Sequence, residues 1–299
     1  IDGWTYGEDA NAPTSTNNFN QVVTYVYAST LNGEYTNVVP SNAGTYYVKA
    51  IAQGNDNLNY SESAAVSFTI KKATATIEGE KDAYEAVYNK NGYTLEGIYA
   101  SNGVALEYAY TKNGETVSGI LNAGTYTVVI TLDESANYTG DEVTVTVIID
   151  KVENTDTIPT YTATFGDALS TLVLPTSEFG TWKWQNASDL VGNAGEQKHI
   201  LVFTPTDSIN YAGRTAEATV TVSKKVISTP AAPNATNVYD STTKYSGLSN
   251  TNLYTVVDNG GTTVGTYTAT LTLTDPDNYV WDNGTATTTV SYTITKGAN

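Results

Sequence analysis

Across 299 residues the sequence holds 31 acidic and 14 basic side chains, a formal charge of -17, a single His, and neither Cys nor Met. Without Cys there is no disulfide framework and no thiolate metal site, and the basic residues are too scattered to displace counterions from phosphates, which excludes a nucleic-acid partner. No apolar run approaches the roughly 20 residues that cross a bilayer, so no membrane insertion is expected.

The acidic residues are dispersed among polar ones, the pattern of a solvated surface rather than of an interaction tail. No charged-then-apolar signal opens the chain, and the missing Met leads us to expect a fragment or mature segment whose targeting and anchoring signals lie outside it. Thr, Tyr and Val are abundant, Gly and Asn punctuate them, and only 15% of residues are charged. Branched and aromatic side chains suit a pleated surface, so the composition predicts an all-β protein.

A period organises the chain. Asn42-Ala43-Gly44-Thr45-Tyr46 recurs as Asn122-Ala123-Gly124-Thr125-Tyr126, weakens to Asn193-Ala194-Gly195, and returns as Val264-Gly265-Thr266-Tyr267. About fifteen residues after each comes an Asn-Tyr pair, at Asn59-Tyr60, Asn137-Tyr138, Asn210-Tyr211 and Asn278-Tyr279. An alternating segment then ends on Lys71, Lys151, Lys224 or Lys296. The spacing of roughly 70 to 80 residues predicts four tandem small immunoglobulin-like β-sandwich modules, at 1-71, 72-151, 152-224 and 225-299, joined by short connections in an extended array. Short connections leave little slack, and a monomeric, semi-rigid rod is expected.

The segment after each Gly alternates with period two, as a half-buried strand does. In the second module Tyr126, Val128, Ile130 and Leu132 share one face, and in the fourth Tyr267, Ala269, Leu271 and Leu273 do. The closing segments alternate likewise at Ala64, Val66, Phe68 and Ile70, at Val143, Val145, Val147 and Ile149, at Ala218, Val220 and Val222, and at Val290, Tyr292 and Ile294. Each pair reads as a hairpin whose loop carries the Asn-Tyr. The Tyr two residues after the Gly fits the corner tyrosine of an immunoglobulin-like sandwich, which hydrogen-bonds back to upstream backbone. Gln197 takes that position in the third module.

These residues carry a resemblance. Trp4-Thr5-Tyr6-Gly7 through Asn11-Ala12-Pro13, with Asn42-Ala43-Gly44-Thr45-Tyr46-Tyr47-Val48-Lys49-Ala50, resembles the opening and penultimate strand of the MBG-type immunoglobulin-like repeats of Firmicutes surface proteins. The third module is similar to a companion repeat through Ala163-Thr164-Phe165-Gly166-Asp167, Gly180-Thr181-Trp182-Lys183-Trp184 and Phe203-Thr204-Pro205-Thr206-Asp207. The fourth resembles the YDG-type variant through Val238-Tyr239-Asp240, with Ser241 where that variant has Gly. The resemblance implies modules of large secreted or wall-anchored proteins, where such repeats serve as spacers and as parts of adhesins, and it implies no single ligand.

Chemical sites are sparse. One His and no Cys argue against zinc. Asp275-Pro276-Asp277-Asn278 and Asp56-Asn57 offer oxygen ligands without the spacing of a calcium loop, and turn chemistry is the favoured reading of both. His199 shares the register of Val128 and Ala269 in the sister modules and reads as a buried or rim residue rather than a base. Trp182 and Trp184 lie on one strand face and read as core; Trp4 and Trp281, near module ends, are expected to pack at junctions, and Tyr47 and Tyr60 to be exposed. The lysines near each module end suit an isopeptide bond less well than a linker role. No catalytic, cofactor-binding or metal residue is nominated, no cofactor is expected, and ligand-binding residues stay open.

The expected function is therefore that of a non-catalytic extracellular stalk or adhesin segment of a bacterial surface protein, anchored in a Gram-positive cell wall. The alternatives are an array binding carbohydrate or mucin, whether host or plant glycans, and a binder of host surface proteins such as immunoglobulin. A row of exposed aromatics would favour the first.

Overall fold

The structure, a computed structural model, describes residues 1–298. The chain divides into two compact units, Ile1–Lys151 and Val152–Asn299. Each unit holds two main sheets built on one plan and one two-stranded sheet, and each main sheet covers its own apolar core.

In the first module β1 (Trp4–Thr5), β2 (Val23–Ala28), β3 (Gly44–Ala52), β4 (Ser61–Glu62) and β5 (Val66–Lys71) form one sheet in the order β1-β5-β3-β2, with β4 on β3. The second module has β6 (Ile77–Glu78), β7 (Ala83–Val87), β8 (Tyr99–Ala100), β9 (Glu107–Lys112), β10 (Glu115–Val117), β11 (Gly124–Leu132) and β12 (Asp141–Asp150). Its main sheet runs β10-β9-β11-β12-β7, and β6 pairs β8 in a second, two-stranded sheet. The third module orders β13 (Tyr161–Thr164), β14 (Gly180–Trp184), β15 (Gly195–Pro205) and β16 (Arg214–Ser223) as β13-β16-β15-β14. The fourth has β17 (Lys225–Ile227), β18 (Thr236–Val238), β19 (Tyr254–Val257), β20 (Gly265–Leu273), β21 (Tyr279–Trp281) and β22 (Thr287–Thr295), with a main sheet β18-β22-β20-β19 and a small sheet β17-β21.

The plan is constant. A short opening strand lies parallel to the last strand of its module, as β1 on β5, β7 on β12, β13 on β16 and β18 on β22. All other pairings in the main sheets are antiparallel, and the expected hairpins are β3–β5, β11–β12, β15–β16 and β20–β22. A parallel edge strand placed after a separate entering segment is how an immunoglobulin-like sandwich divides its first strand between two sheets.

Side-chain alternation decides which face is buried. Along β11 Tyr126, Val128, Ile130 and Leu132 are all buried, and along β20 Ala269, Leu271 and Leu273 are, with Tyr267 half-buried. Burying each such aliphatic side chain contributes about 1.5–3 kcal/mol, and a one-residue slip would turn all of them to water. The pattern fails in the first module, where Phe68 and Ile70 are buried but Val66 is half exposed and Ala64 is exposed. No second sheet covers that end of β5 among the described residues.

The tryptophans depart from expectation in two of four positions. Trp182 and Trp184 are core, as their shared face implies. Trp4 and Trp281, expected at junctions, are core residues too: Trp4 stacks on Phe68 with ring centroids 5.2 Å apart, and Trp281 lies fully buried against Tyr254 at 5.4 Å. The strands that carry them pair within their own modules, which turns the indoles inward.

Ser241 has φ 69°, in the left-handed region where L residues lacking a local compensation are strained. Ser241→Gly should raise the stability of the fourth module by about 0.5–1 kcal/mol in denaturant unfolding, the relief of strain being offset by the greater freedom of unfolded Gly.

Candidate functional site

A Gly begins each central strand at a corner, followed by Thr-Tyr in three modules and by Glu196-Gln197 in the third. Gly44, Gly124 and Gly195 have φ of 152°, 139° and 118°, which a side chain would resist. Tyr126 Oη donates to the Asn122 carbonyl at 2.8 Å and accepts from the Asn122 N–H at 3.1 Å. Tyr267 Oη repeats this on Thr263 at 3.0 and 3.3 Å. In the third module Gln197 Nε2 donates to the Asn193 carbonyl at 3.0 Å, so the amide replaces the phenol in the same bond. Tyr46 forms no such bond among the described residues and packs on Phe68 at 6.0 Å instead.

The exposed side of that corner meets the following module. Asn137, in the second module, accepts from the Ala43 N–H through Oδ1 at 2.9 Å and donates through Nδ2 to Asn42 Oδ1 at 3.1 Å. In the other unit Asn278 does the same to the third module, accepting from Ala194 N–H at 2.8 Å and donating to Asn193 Oδ1 at 3.3 Å. Asn-Ala-Gly is thus a socket, and the Asn of Asn-Tyr plugs it.

The neighbouring Tyr adds an apolar contact. Tyr138 meets Tyr6 edge-on at 5.3 Å and 76°, and Tyr279 meets Phe165 at 5.3 Å and 77°. Tyr6 and Phe165 occupy equivalent places, each donating its N–H to the last strand of its own module. Such edge-to-face pairs contribute about 0.5–1.5 kcal/mol beyond their buried area.

The linker lysines complete the joint. Lys72 Nζ binds Glu134 and donates to the Ser135 carbonyl at 2.6 Å; Lys224 Nζ donates to the Pro276 carbonyl at 2.7 Å. From there the chain enters the next module alongside Asn-Tyr: Ala73, Val152 and Lys225 each donate their N–H, at 2.9 Å, to the carbonyl of Asn137, Asn210 and Asn278. Lys72 and Lys224 therefore grip the Asn-Tyr loop.

An acidic residue stands three places before each of these asparagines: Asp56, Glu134, Asp207 and Asp275. Asp275 accepts from Asn278 N–H at 3.2 Å and from its Nδ2 at 2.9 Å, and Asp207 accepts from Asn210 Nδ2 at 2.8 Å. This is turn chemistry that fixes the Asn amide, with no cation needed to explain the carboxylates. Among the described residues no three His, Cys, Asp or Glu side chains converge on a metal position.

The remaining sequence candidates fall apart from one another. His199 is half-buried, its Nε2 3.1 Å from the Val191 carbonyl and its ring edge-on to Trp184 at 6.2 Å. All four tryptophans are buried, so none offers a stacking platform. Tyr60 is exposed and Tyr47 only half-buried; Phe19, Tyr99, Tyr239 and Tyr245 are the other exposed aromatics, spread over three modules. No helix among the described residues is long and apolar enough to cross a membrane.

The fourth module carries one polar cluster the sequence did not reveal. Tyr292 Oη donates to Asp258 Oδ1 at 2.9 Å, and Asp258 Oδ2 accepts from the Ser246 N–H at 2.6 Å. Burial, then the bond to Asp258, push the Tyr292 phenol up to about 12. Nearby, Lys244 at 2.5 Å holds the exposed Asp240 carboxyl down to about 2.

No family model matches the chain, and no curated protein does. Solved structures that match include Drosophila N-cadherin EC1-4, at 12% identity over 75% of this chain and 73% of that one with a TM-score of 0.26. Sidekick-1 immunoglobulin domains 1-5 match at 14% identity over 99% and 79%, with a TM-score of 0.26. The Bacteroides ovatus mixed-linkage glucan utilization protein SGBP-B, in complex with a heptasaccharide, matches at 12% identity over 76% and 67%, with a TM-score of 0.19. At such scores the likeness identifies no family and assigns no activity.

Two outcomes follow from this geometry. Asn278→Ala leaves the Ala194 N–H without its partner and should lower the denaturant stability of the second unit by about 1–3 kcal/mol, as Asn137→Ala should in the first, while Asn59→Ala stays within about 0.5 kcal/mol. For Tyr292 the phenol stays protonated in the folded chain while its unfolded counterpart ionises near the ordinary value of 10.0, so its contribution is fully present below about pH 10 and is lost towards about pH 12. Denaturant midpoints of the fourth module across that window should fall in the native chain and fall less in Tyr292→Phe.

Proposed function

We propose that the chain is a non-catalytic, extracellular stalk or adhesin segment of a bacterial surface protein, built from MBG-type and YDG-type immunoglobulin-like repeats and held to a Gram-positive cell wall. One observation carries the reading: the residues that recur in the repeats are used in corners and in joints between modules. A joint with a hydrogen-bonded plug, an aromatic pair and a lysine grip resists bending at the linker, which is what a projecting element requires. The dispersed acidic surface keeps such an element soluble.

The test has two arms. Donor and acceptor dyes on the third and fourth modules should give a narrow distance distribution that broadens in Asn278→Ala; an unchanged distribution sinks the mechanical reading. The purified chain is also applied to an array of mucins, plant and bacterial polysaccharides and host proteins including immunoglobulins. Saturable binding without turnover makes the segment an adhesin and silence makes it a spacer, whereas cleavage of any glycan overturns the non-catalytic assignment.

A further inference from the structure

The second module holds an open cleft of about 500 Å³ beside the edge strand β7 and the segment that leads into β8, lined by Lys81, Tyr84, Asn89, Tyr93, Thr94 and Glu96. Gly92 forms part of its wall at φ 81°, where an added side chain would meet the Ile120 carbonyl and Leu121 at 3.1 Å. Tyr93 is half-buried; it packs against the core of the module and also lines the cleft, so its ring is held in place with part of its surface on view. The Lys81 ammonium stands 5.8 Å from the centre of the Tyr84 ring.

The fourth module carries the same loop in a closed form. Tyr88 and Tyr239 each donate an N–H to the last strand of their own module, at Asp150 and Thr295, and further along Tyr93 and Lys244 donate theirs to Ile120 and Gly261. Between these points Lys90 and Ser241 share a left-handed backbone, with φ of 68° and 69°. Asn89 and Asp240 each accept through Oδ1 from the N–H of the second residue after them, at 2.9 and 3.0 Å. In the fourth module Lys244 then reaches across the loop to Asp240 at 2.5 Å. In the second module those two places hold Tyr93 and Asn89, which form no bond with each other among the described residues. An aromatic ring and an amide thus stand where the other loop is shut by an ion pair. Asn89 Nδ2, Tyr93 Oη and the Glu96 carboxylate hydrogen-bond to no other described residue and are open to a ligand.

We propose that this cleft binds a neutral pyranose unit of a glycan, with the C–H face of the sugar on Tyr93 and its hydroxyls among Asn89, Lys81 and Glu96. The C–H face packs on an aromatic ring as other apolar surface does. A sugar hydroxyl donates and accepts at once, and the cleft offers both, with donors at Asn89 Nδ2 and Lys81 Nζ and an acceptor at Glu96. One cation and one anion line it, in a chain of formal charge -17, which disfavours an acidic sugar or a phosphate. No lining residue belongs to the corner or to the Asn137-Tyr138 loop, so a bound sugar leaves the contacts of the joint in place.

The inference rests on the adhesin side of the function proposed above and gives it a site. Backbone amide shifts of the full chain are followed by NMR as cellohexaose, mannohexaose and xylohexaose are added, with hexagalacturonate as the acidic sugar and decaproline as a peptide of the kind that docks in aromatic grooves. A neutral sugar should shift the amides of Lys81 and of residues 89–96 saturably below about 10 mM. Asn89→Asp with Tyr93→Lys installs the ion pair that the loop of the fourth module already carries, and should weaken binding about tenfold or more with the rest of the spectrum unmoved. Tyr93→Phe keeps the ring and should keep most of the affinity. Absence of saturable shifts at these amides with all the neutral sugars overturns the proposal, as does binding that survives the double variant. Hexagalacturonate bound as tightly as the neutral sugars overturns it too, and decaproline shifting these amides where the sugars do not makes the cleft a peptide site instead. Each of those results leaves the stalk reading standing, because dye distances in Asn278→Ala report on a joint that the cleft does not enter.

Discussion

A single side-chain amide, repeated at Asn137 and Asn278, holds successive modules in register within each unit. It satisfies a backbone N–H that the sharp turn before Gly44 or Gly195 would otherwise leave without a strand partner, and it borrows the Asn at the start of that turn as its second contact. An amide suits the task because it accepts and donates at once, so that one residue answers both groups of the socket. The carboxylate three residues earlier orients the amide in the fourth module and meets the linker lysine in the second. The corner, the loop and the linker are therefore one device rather than three.

This arrangement explains why the corner tolerates Gln197. What the sandwich needs there is a donor aimed at the Asn193 carbonyl, and Gln supplies one from the same strand position as Tyr126 and Tyr267. The phenol also accepts from the N–H of the same residue, so it ties both groups, whereas Gln197 is seen donating to one. Asn193 is held from within its module by Gln197 and from the next module by Asn278.

The strand architecture was legible because its signal is local. Alternation at Tyr126–Leu132 and at Val145–Ile149 marks the buried faces directly, and the four-fold period marks the modules. The joint was not legible, since its partners lie 84 to 95 residues apart and nothing in the neighbourhood of Asn137 announces Ala43. Two signals were nevertheless present: the acidic residue three places before every Asn-Tyr, and the aromatic pair of Tyr6 and Phe165 at matching places. The inward turn of Trp4 and Trp281 also escaped, because it depends on which strand the flanking residues pair with and not on distance from a module end.

The first three repeats carry the same Asn-Ala-Gly at the corner, and all four carry the Asn-Tyr loop, so socket and plug are built from like residues along the chain. Excision of residues 72–151 would bring Asn42-Ala43 ahead of Asp207-x-x-Asn210-Tyr211, the same residue types in the same order. Unequal recombination between the repeats of such a gene would then change the number of modules without disturbing the fit at the new junction. Length becomes a trait that a lineage can adjust in single steps, with no compensating substitution required.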